Sequence, residues 1–356
     1  METHPTPIPP ATEREQITLD PIFGGKKRGF AAFLICCALL LAAFAVSALW
    51  LGGGGEDWFR PSSDALPPTT TDAEGTRAPG KEESAVPDDT KTPSEIPEGA
   101  TRIRTADLSY LSLGRSYIHN ETFYRPDVDA LLLATRTWQP DPETPLILIL
   151  HTHTSESYLP SGCEYIEGAL GDATYSENPE VGVLSVGEVL AHTLNEQGIP
   201  TLHCTVRHDE AGHAGSYERS AETVKRYLAE YPSIRLVIDL HRDAVMNSDG
   251  EAIRAAVSVD GLPTAQVMAV VGSDANGTPH PGWEQNLALA LQLRERLNAT
   301  GEGVCRPVSL RRSSFYQELA PSSLLLEIGT AANSPEEAKR AAVLVGIALA
   351  ELLHAR

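Results

Sequence analysis

The chain has 356 residues, with 48 Asp and Glu against 28 Lys and Arg, and its formal net charge at pH 7 is −20. This length allows one large or two medium-sized domains. The acidity argues against nucleic acid as a partner, because phosphate binding needs a basic face. Five cysteines are an odd number, and their spacings match no zinc knuckle, so we predict no disulfide framework.

The N-terminal region contains an apolar stretch that predicts a membrane anchor. Lys26-Lys27-Arg28 precedes uncharged residues 29–51, which are long enough to span a bilayer as a helix. The basic triplet predicts that residues 1–28 form a cytoplasmic tail. A cleaved signal peptide is the alternative, since Val46-Ser47-Ala48 resembles a cleavage site. The long polar lead favours an uncleaved anchor.

Residues 52–100 change in composition to Gly, Pro, Ser, Thr, Asp and Glu. Such a segment cannot bury enough apolar surface to fold, so we predict a disordered acidic linker that tethers the domain to the membrane. A partner-binding segment is the alternative. The folded, extracytoplasmic domain is expected from residue 101 to residue 356.

Apolar runs of strand length alternate with helical patterns through this domain. The run Ala130–Leu133 has ambiguous periodicity, and Asp260-Gly261 predicts a turn that joins the apolar segments 255–259 and 266–271. Continuous apolar runs are typical of strands buried on both faces of a parallel sheet covered by helices. The pattern predicts an α/β fold, a single three-layer domain with a mostly parallel sheet flanked by helices. The predicted strands are residues 146–150, 199–204, 234–240, 255–259, 266–271, those around Val308, and 324–328, and the predicted helices are 181–197, 216–231, 283–300 and 336–353.

Three of the predicted strands end in metal-binding or acidic residues. The first runs into His151-Thr152-His153-Thr154-Ser155-Glu156, the second into His241-Arg242-Asp243, and the third ends in Glu327. Ligands of open α/β sheets bind beyond the carboxyl ends of the strands. Two histidines and a carboxylate are suitable ligands for a catalytic Zn²⁺ ion that keeps one position open. The sequence therefore predicts a zinc site with a second carboxylate beside it.

The assignment of ligands leaves alternatives. His153 and His241 are the preferred imidazole ligands, and His151 is the competitor that we expect to pack or to orient instead. Glu156, three residues after His153, can return to the same metal if the loop turns tightly. Glu180, at the start of the next helix, is the alternative carboxylate.

The remaining polar residues have predicted supporting roles. Glu327 is the candidate general base that takes a proton from water and returns it to the leaving amine, unless it pairs with a structural arginine. Asp239 or Asp243 is expected to hydrogen-bond a ligand histidine. Arg242 is a catalytic candidate that either clamps a substrate carboxylate or pairs with one of these aspartates. A structural role is predicted for the polar cluster of His208, Asp209 and His213.

The motifs together resemble the stage II sporulation protein P family of endospore-forming Firmicutes. The resemblance covers essentially the whole folded domain, and its motifs occur in order. They are His151 to Tyr158, Val186-Gly187, His208-Asp209, Ser216-Tyr217, Ile238 to Asp243, Gln317 to Gly329, and Asn333 with Glu336-Glu337-Ala338. The strand ending at Glu327 followed by Asn333 is more distantly similar to zinc N-acetylmuramoyl-L-alanine amidases. Those amidases place the metal glutamate at the start of the first helix, which would favour Glu180; Glu156 belongs to the sporulation motif.

The resemblance implies a membrane-anchored, zinc-dependent N-acetylmuramoyl-L-alanine amidase that also cuts peptide cross-links of peptidoglycan. It further implies work with a lytic transglycosylase and a polytopic membrane protein during engulfment of the forespore. Two rival interpretations remain: a catalytically silent cell-wall-binding scaffold and a pure stem-peptide endopeptidase. The complete set of His153, Glu156, His241 and Glu327 favours an enzyme.

Overall fold

The computed structural model describes residues 96–109, 117–136, 138, 141 and 143–355. The predicted cytoplasmic tail, the membrane anchor at 29–51 and the linker before residue 96 lie outside these residues. Within the described part, no helix combines the length and the apolar character needed to cross a bilayer.

The described chain alternates strands and helices. The strands are β1 (Ala100–Ala106), β2 (Ile118–Asn120), β3 (Ile147–Leu150), β4 (Tyr165–Glu167), β5 (Thr201–His203), β6 (Leu236–Asp243), β7 (Ala252–Val259), β8 (Leu262–Ala265), β9 (Val267–Val271), β10 (Val308–Leu310) and β11 (Ser322–Thr330). The helices are α1 (Val128–Leu132), α2 (Leu170–Ala173), α3 (Val183–Glu196), α4 (Ser216–Glu230), α5 (Trp283–Thr300) and α6 (Pro335–His354). Short 3₁₀ turns lie at Pro179–Val181 and Gln317–Leu319.

Seven strands form the larger sheet, in the order β2-β10-β9-β11-β6-β3-β5. Neighbouring strands are parallel except for β9 and β11, which run antiparallel.

Four strands form a second sheet, in the order β4-β1-β7-β8, where β1 and β7 are parallel and the other two pairs are antiparallel. The mixed α/β class is confirmed, but the prediction of a mostly parallel sheet is wrong, because both sheets are mixed. The Asp260-Gly261 turn joins β7 to β8 and not, as predicted, to β9.

The larger sheet is covered by helices on both faces. Ile147 and Ile149 of β3 belong to the main core, which contains the buried residues of α3, α5 and α6. Leu148 and Leu150 project to the other face, into a smaller core with Val224 of α4. This alternation is the two-residue period of a strand buried on both faces. The α4 face of β6 consequently carries the odd-numbered Asp239 and His241.

The chain between β11 and α6 is held by an extensive set of hydrogen bonds. Ser334 caps α6 by accepting from the Glu337 N–H, and the Glu337 carboxylate accepts from the Ser334 N–H. This reciprocal capping box satisfies donors that a helix start leaves unpaired. Asn333 donates to the same carboxylate and accepts from the Thr330 N–H. These contacts hold the end of β11, the strand that carries Glu327.

Candidate active site

A tight turn after β3 brings His153 and Glu156 together. The Glu156 N–H lies 3.3 Å from the His153 carbonyl oxygen, so the chain reverses within four residues. Both side chains are buried, with 8% and 7% relative exposure. The tight turn that would let His153 and Glu156 bind the same metal ion is therefore present.

Asp209 binds Thr154 and Ser155, the two residues that lie between His153 and Glu156. Its carboxylate accepts hydrogen bonds from the Thr154 hydroxyl, the Ser155 hydroxyl and the Ser155 N–H. Burial acts against its charge, but these hydrogen bonds lower the pKa of Asp209 below its usual value. Asp209 therefore stabilises the turn through its ionised carboxylate. The sequence predicted a structural role for the polar cluster that contains Asp209, but not this contact.

His241 lies between two carboxylates. Its Nδ1 is 3.3 Å from Glu156 Oε2, and its Nε2 is 3.0 Å from Asp239 Oδ1. Burial opposes the charged form, but Asp239 and Glu156 outweigh it and raise the pKa of His241 well above its usual value. The two carboxylates therefore favour the protonated form of this imidazole.

Asp239 is itself fixed by Thr152, which donates its N–H and its hydroxyl to the two carboxylate oxygens at 2.8 and 2.7 Å. The other flanking aspartate, Asp243, pairs with Arg306 at 2.7 Å. Of the two aspartates, Asp239 is thus the one that contacts the candidate ligand His241.

Arg242 is buried and bound to the loop that follows Glu156. Its N–H donates to Glu156 Oε2 at 3.2 Å, and its guanidinium donates to the carbonyl oxygens of Ser157 and Thr174. The guanidinium is also 3.7 Å from Glu156 Oε1. Despite burial, the charges of Arg242 and His241 lower the pKa of Glu156 to about 2. Arg242 therefore pairs with Glu156 and holds it, a contact that neither of the two predicted alternatives for this residue named.

Glu327 lies next to His241 on the neighbouring strand, in register with it across the parallel pair β6–β11. Its Oε2 atom is buried and has no hydrogen-bond partner among the described residues. Burial and the charge of Asp243 raise the pKa of Glu327 to about 8, although His241 acts in the opposite direction. A carboxyl group with this pKa can hold or release a proton near neutral pH.

His151 and Glu180, the two alternatives, lie elsewhere. His151 Nδ1 donates to the Leu240 carbonyl oxygen at 2.8 Å, and its Nε2 is 2.9 Å from His203 Nε2. A Cβ at position 187 would come within 2.6 Å of His151 Nε2, so the Val186-Gly187 motif needs glycine there. Glu180 is exposed in the 3₁₀ turn before α3.

His213 and Tyr217 border the site. The His213 ring stacks on His153, with 3.9 Å between centroids, and Tyr217 in the first turn of α4 meets His153 edge-on at 5.5 Å. Sequence reasoning had given Tyr217 no role. Its only signal was the Ser216-Tyr217 motif, which says nothing about proximity to residues over sixty positions away.

The donors can be tested for their fit to zinc. The described residues hold no group of three His, Cys, Asp or Glu side chains already arranged around a metal position. However, His153 Nδ1 and Glu327 Oε2 are buried atoms without hydrogen-bond partners among the residues that the structure describes, and His241 Nδ1 faces Glu156 Oε2 at 3.3 Å. Burial and the neighbouring His241 lower the pKa of His153 to about 4, so its imidazole is neutral. Two imidazoles and an ionised carboxylate are the donor types of a catalytic zinc site, and a cation would replace the proton on His241.

Comparisons with known proteins identify relatives. The family model described as Stage II sporulation protein P matches residues 60–351. Stage II sporulation protein P of Bacillus subtilis (strain 168) is 28% identical over 208 residues, which cover 55% of this chain and 48% of that protein. The chain thus matches about half the length of this curated relative.

Two solved structures are more distantly similar. The N-acetylmuramyl-L-alanine amidase Ami1 from Mycobacterium smegmatis has a TM-score of 0.37 and 16% identity, over 60% of this chain and 99% of that chain. The N-acetylmuramoyl-L-alanine amidase from Clostridium difficile 630 has a TM-score of 0.33 and 11% identity, over 59% and 95%.

Proposed function

Since this chain belongs to the stage II sporulation protein P family, we propose that it is a peptidoglycan hydrolase of sporulating cells. The proposed reaction is zinc-dependent cleavage of the amide between the lactyl group of N-acetylmuramic acid and L-alanine, with additional endopeptidase activity on the stem peptide. One observation carries the proposal. His153, Glu156, His241 and Glu327 converge at a sheet edge, and two of them, His153 and Glu327, have buried polar atoms without hydrogen-bond partners among the described residues.

The proposed metal ligands are His153, Glu156 and His241. When bound there, zinc would supply the Lewis acidity that activates water and polarises the scissile carbonyl. Arg242 holds Glu156 through its N–H and guanidinium, and Asp239 contacts His241 from the opposite side. Such outer contacts orient metal ligands and tune their basicity.

Glu327 is the proposed general base and acid. Its carboxylate accepts a proton from the attacking water and returns it to the departing amine of L-alanine. No other described residue binds Oε2, and the pKa of about 8 would fall beside a cation, because a positive charge favours the ionised form. The group would then be ionised at the start of the reaction.

The cellular setting belongs to the same proposal. The apolar segment 29–51 anchors the chain in the cytoplasmic membrane, with the N-terminus in the cytoplasm and the described domain outside. The domain acts on peptidoglycan during forespore engulfment, together with a lytic transglycosylase and a polytopic membrane protein.

Mass spectrometry of the products from purified cell wall tests the activity. The full chain in detergent should release free stem peptides with an L-alanine amino terminus and leave intact lactyl groups on the glycan. Cleavage of cross-links alone would replace the proposal with an endopeptidase. Wall binding without any cleavage would leave only a scaffold role. The Glu327→Gln chain is the matched control and should release no products above background.

A further inference from the structure

Three aromatic rings lie together beside the candidate active site. Tyr217 of α4 stacks towards His241 with 6.5 Å between ring centroids and an interplanar angle of 15°. Its ring is 5.9 Å from Phe315 and 6.5 Å from Tyr316, which lie in the loop between β10 and β11. We call Tyr217, Phe315 and Tyr316 the aromatic wall. All three residues are partly exposed.

The backbone of the wall is strained. Phe315 and Tyr316 have φ angles of 52° and 54°, the left-handed region that bulky side chains rarely adopt. Two consecutive non-glycine residues in this region cost conformational energy, and such strain persists only where the surroundings enforce it and is concentrated at functional sites. The strained residues here are Phe315 and Tyr316, whose rings lie beside the candidate active site.

The enforcing contacts come from the next residue and from β9. The buried side chain of Gln317 accepts from the Gly272 N–H at 2.8 Å and donates to the Val270 carbonyl at 3.0 Å. Gly272 lies against the carbonyl oxygens of Ser313 and Ser314, so closely that a Cβ there would overlap them. These contacts fix the loop against the C-terminal end of β9, and the rings of Phe315 and Tyr316 lie 5.9 and 6.5 Å from the Tyr217 ring.

The two loop rings differ in their packing. Phe315 packs on a small core formed by Met268, Val270 and Leu325, so part of its ring supports the loop. Tyr316 is not part of that core, and burial together with the charges of Glu218 and Glu318 raises its pKa. Tyr316 therefore offers a ring at the surface, near the carboxylates of Glu218 and Glu318 and the ammonium group of Lys225.

We propose that the aromatic wall binds the sugar ring of the glycan strand that carries the scissile amide. This inference rests on the proposed function. Pyranose rings present flat C–H faces that pack on aromatic rings, and carboxylates accept hydrogen bonds from their hydroxyl groups.

The position of the wall agrees with the geometry of the substrate. In N-acetylmuramic acid the lactyl group joins the sugar ring directly to the amide, so the sugar must lie close to the catalytic groups. Tyr217 is the ring that contacts both His153 and His241. The sugar would therefore lie against Tyr217, with Tyr316 extending the wall away from the candidate metal site.

The positive φ angle of Tyr316 allows a test of whether its ring binds glycan or only stabilises the loop. Tyr316→Gly removes the ring and also relieves the positive φ angle. If the ring serves binding, the Tm of the full chain should rise by about 2–4 °C, while the Kd for peptide-free glycan strands weakens about 3- to 10-fold, as expected for one aromatic contact. Titrations use full-length protein carrying Glu327→Gln, so that no bond is cut. Tyr316→Phe keeps the ring and should restore the affinity.

Asp260→Gly is the matched control, because Asp260 has a φ of 51° in the turn between β7 and β8. It should raise Tm without changing the affinity for glycan. A lower Tm with unchanged affinity for Tyr316→Gly would show that the ring is structural and overturn the proposal. So would a loss of affinity for free stem peptide instead of glycan. If Tyr316→Gly weakens glycan binding but the parent protein does not hydrolyse cell wall, the amidase function is rejected and the aromatic wall is kept. If the parent hydrolyses cell wall but Tyr316→Gly leaves the glycan affinity unchanged, the aromatic wall is rejected and the amidase function is kept.

Discussion

Ser155 donates two hydrogen bonds, from its N–H and its hydroxyl, to a single carboxylate oxygen of Asp209. Because Ser155 stands between His153 and Glu156, this pair sets the separation of two proposed zinc ligands. A residue 54 positions along the chain thus controls the shape of the turn, without belonging to the ligand set.

Asp209→Ala should therefore weaken zinc binding. Loss of a residue that orients ligands typically costs 10- to 100-fold in metal affinity, and we expect that range in competition with a chelator. Asp107→Ala is the matched control, because Asp107 accepts from the N–H and hydroxyl of Ser109 in a comparable local motif. Unchanged zinc affinity in Asp209→Ala would remove Asp209 from the positioning of the site.

The two glutamates should separate into base and ligand. Glu327→Gln keeps the shape of the side chain but cannot accept the water proton, so turnover of purified cell wall should fall by a factor of roughly 10²–10⁴ with zinc content preserved. Glu156→Gln should lose zinc first and activity as a consequence. The opposite pattern in metal analysis would exchange the two roles, and full activity in both variants would contradict the mechanism.

His241→Ala should abolish both zinc binding and hydrolysis. The full-length parent is expected to bind one zinc per chain, measured by elemental analysis of the purified protein. His192→Ala, at an exposed position on α3, is the matched control and should keep the metal. Full occupancy in His241→Ala would show that His241 does not ligate the metal.

Membrane topology can be tested with protease added to intact protoplasts. Digestion should remove the chain after residue 51 and leave residues 1–28 protected, because the basic triplet retains that end in the cytoplasm. A soluble product in the medium that lacks the anchor would favour the signal-peptide alternative.

The buried pair His151–His203 predicts a dependence of stability on pH. Burial lowers the pKa of His151 to about 3 and that of His203 to about 4, whereas the unfolded chain takes up protons near pH 6.5. The unfolded state binds more protons, so the pair's contribution to stability is lost as pH falls from 6.5 towards 4. Denaturant unfolding of His203→Gln should show a smaller loss over this range than the parent. An equal loss in both proteins would contradict this assignment, and His192→Gln should match the parent.

The helices and strands were largely predictable, since apolar periodicity reflects local burial. The helix at 283–300 was predicted with the bounds that the structure has. The strands carrying His241 and Glu327 were also recognised, although β6 continues to Asp243 and β11 to Thr330. Pattern alone ended them early, because polar residues at their ends look like loop in sequence, yet Thr330 pairs with Asp243 in the sheet after a register shift. The antiparallel pairing of β9 with β11 was not predicted, because an apolar run does not indicate the direction of a strand relative to its neighbours.

The candidate residues His153, Glu156, His241 and Glu327 could be named from sequence, because each follows or ends an apolar run and carries the chemistry of a metal site. The sequence by itself determined the donor types, the α/β class and the family. Only the tertiary structure decided that His151 contacts His203, that Arg242 holds Glu156, that Asp209 binds the turn at Ser155, and that Tyr217, Phe315 and Tyr316 form one wall. The physical reason is that such contacts join segments far apart in the chain, and their partners are selected by sheet order and loop packing, which leave no periodic signal in the sequence.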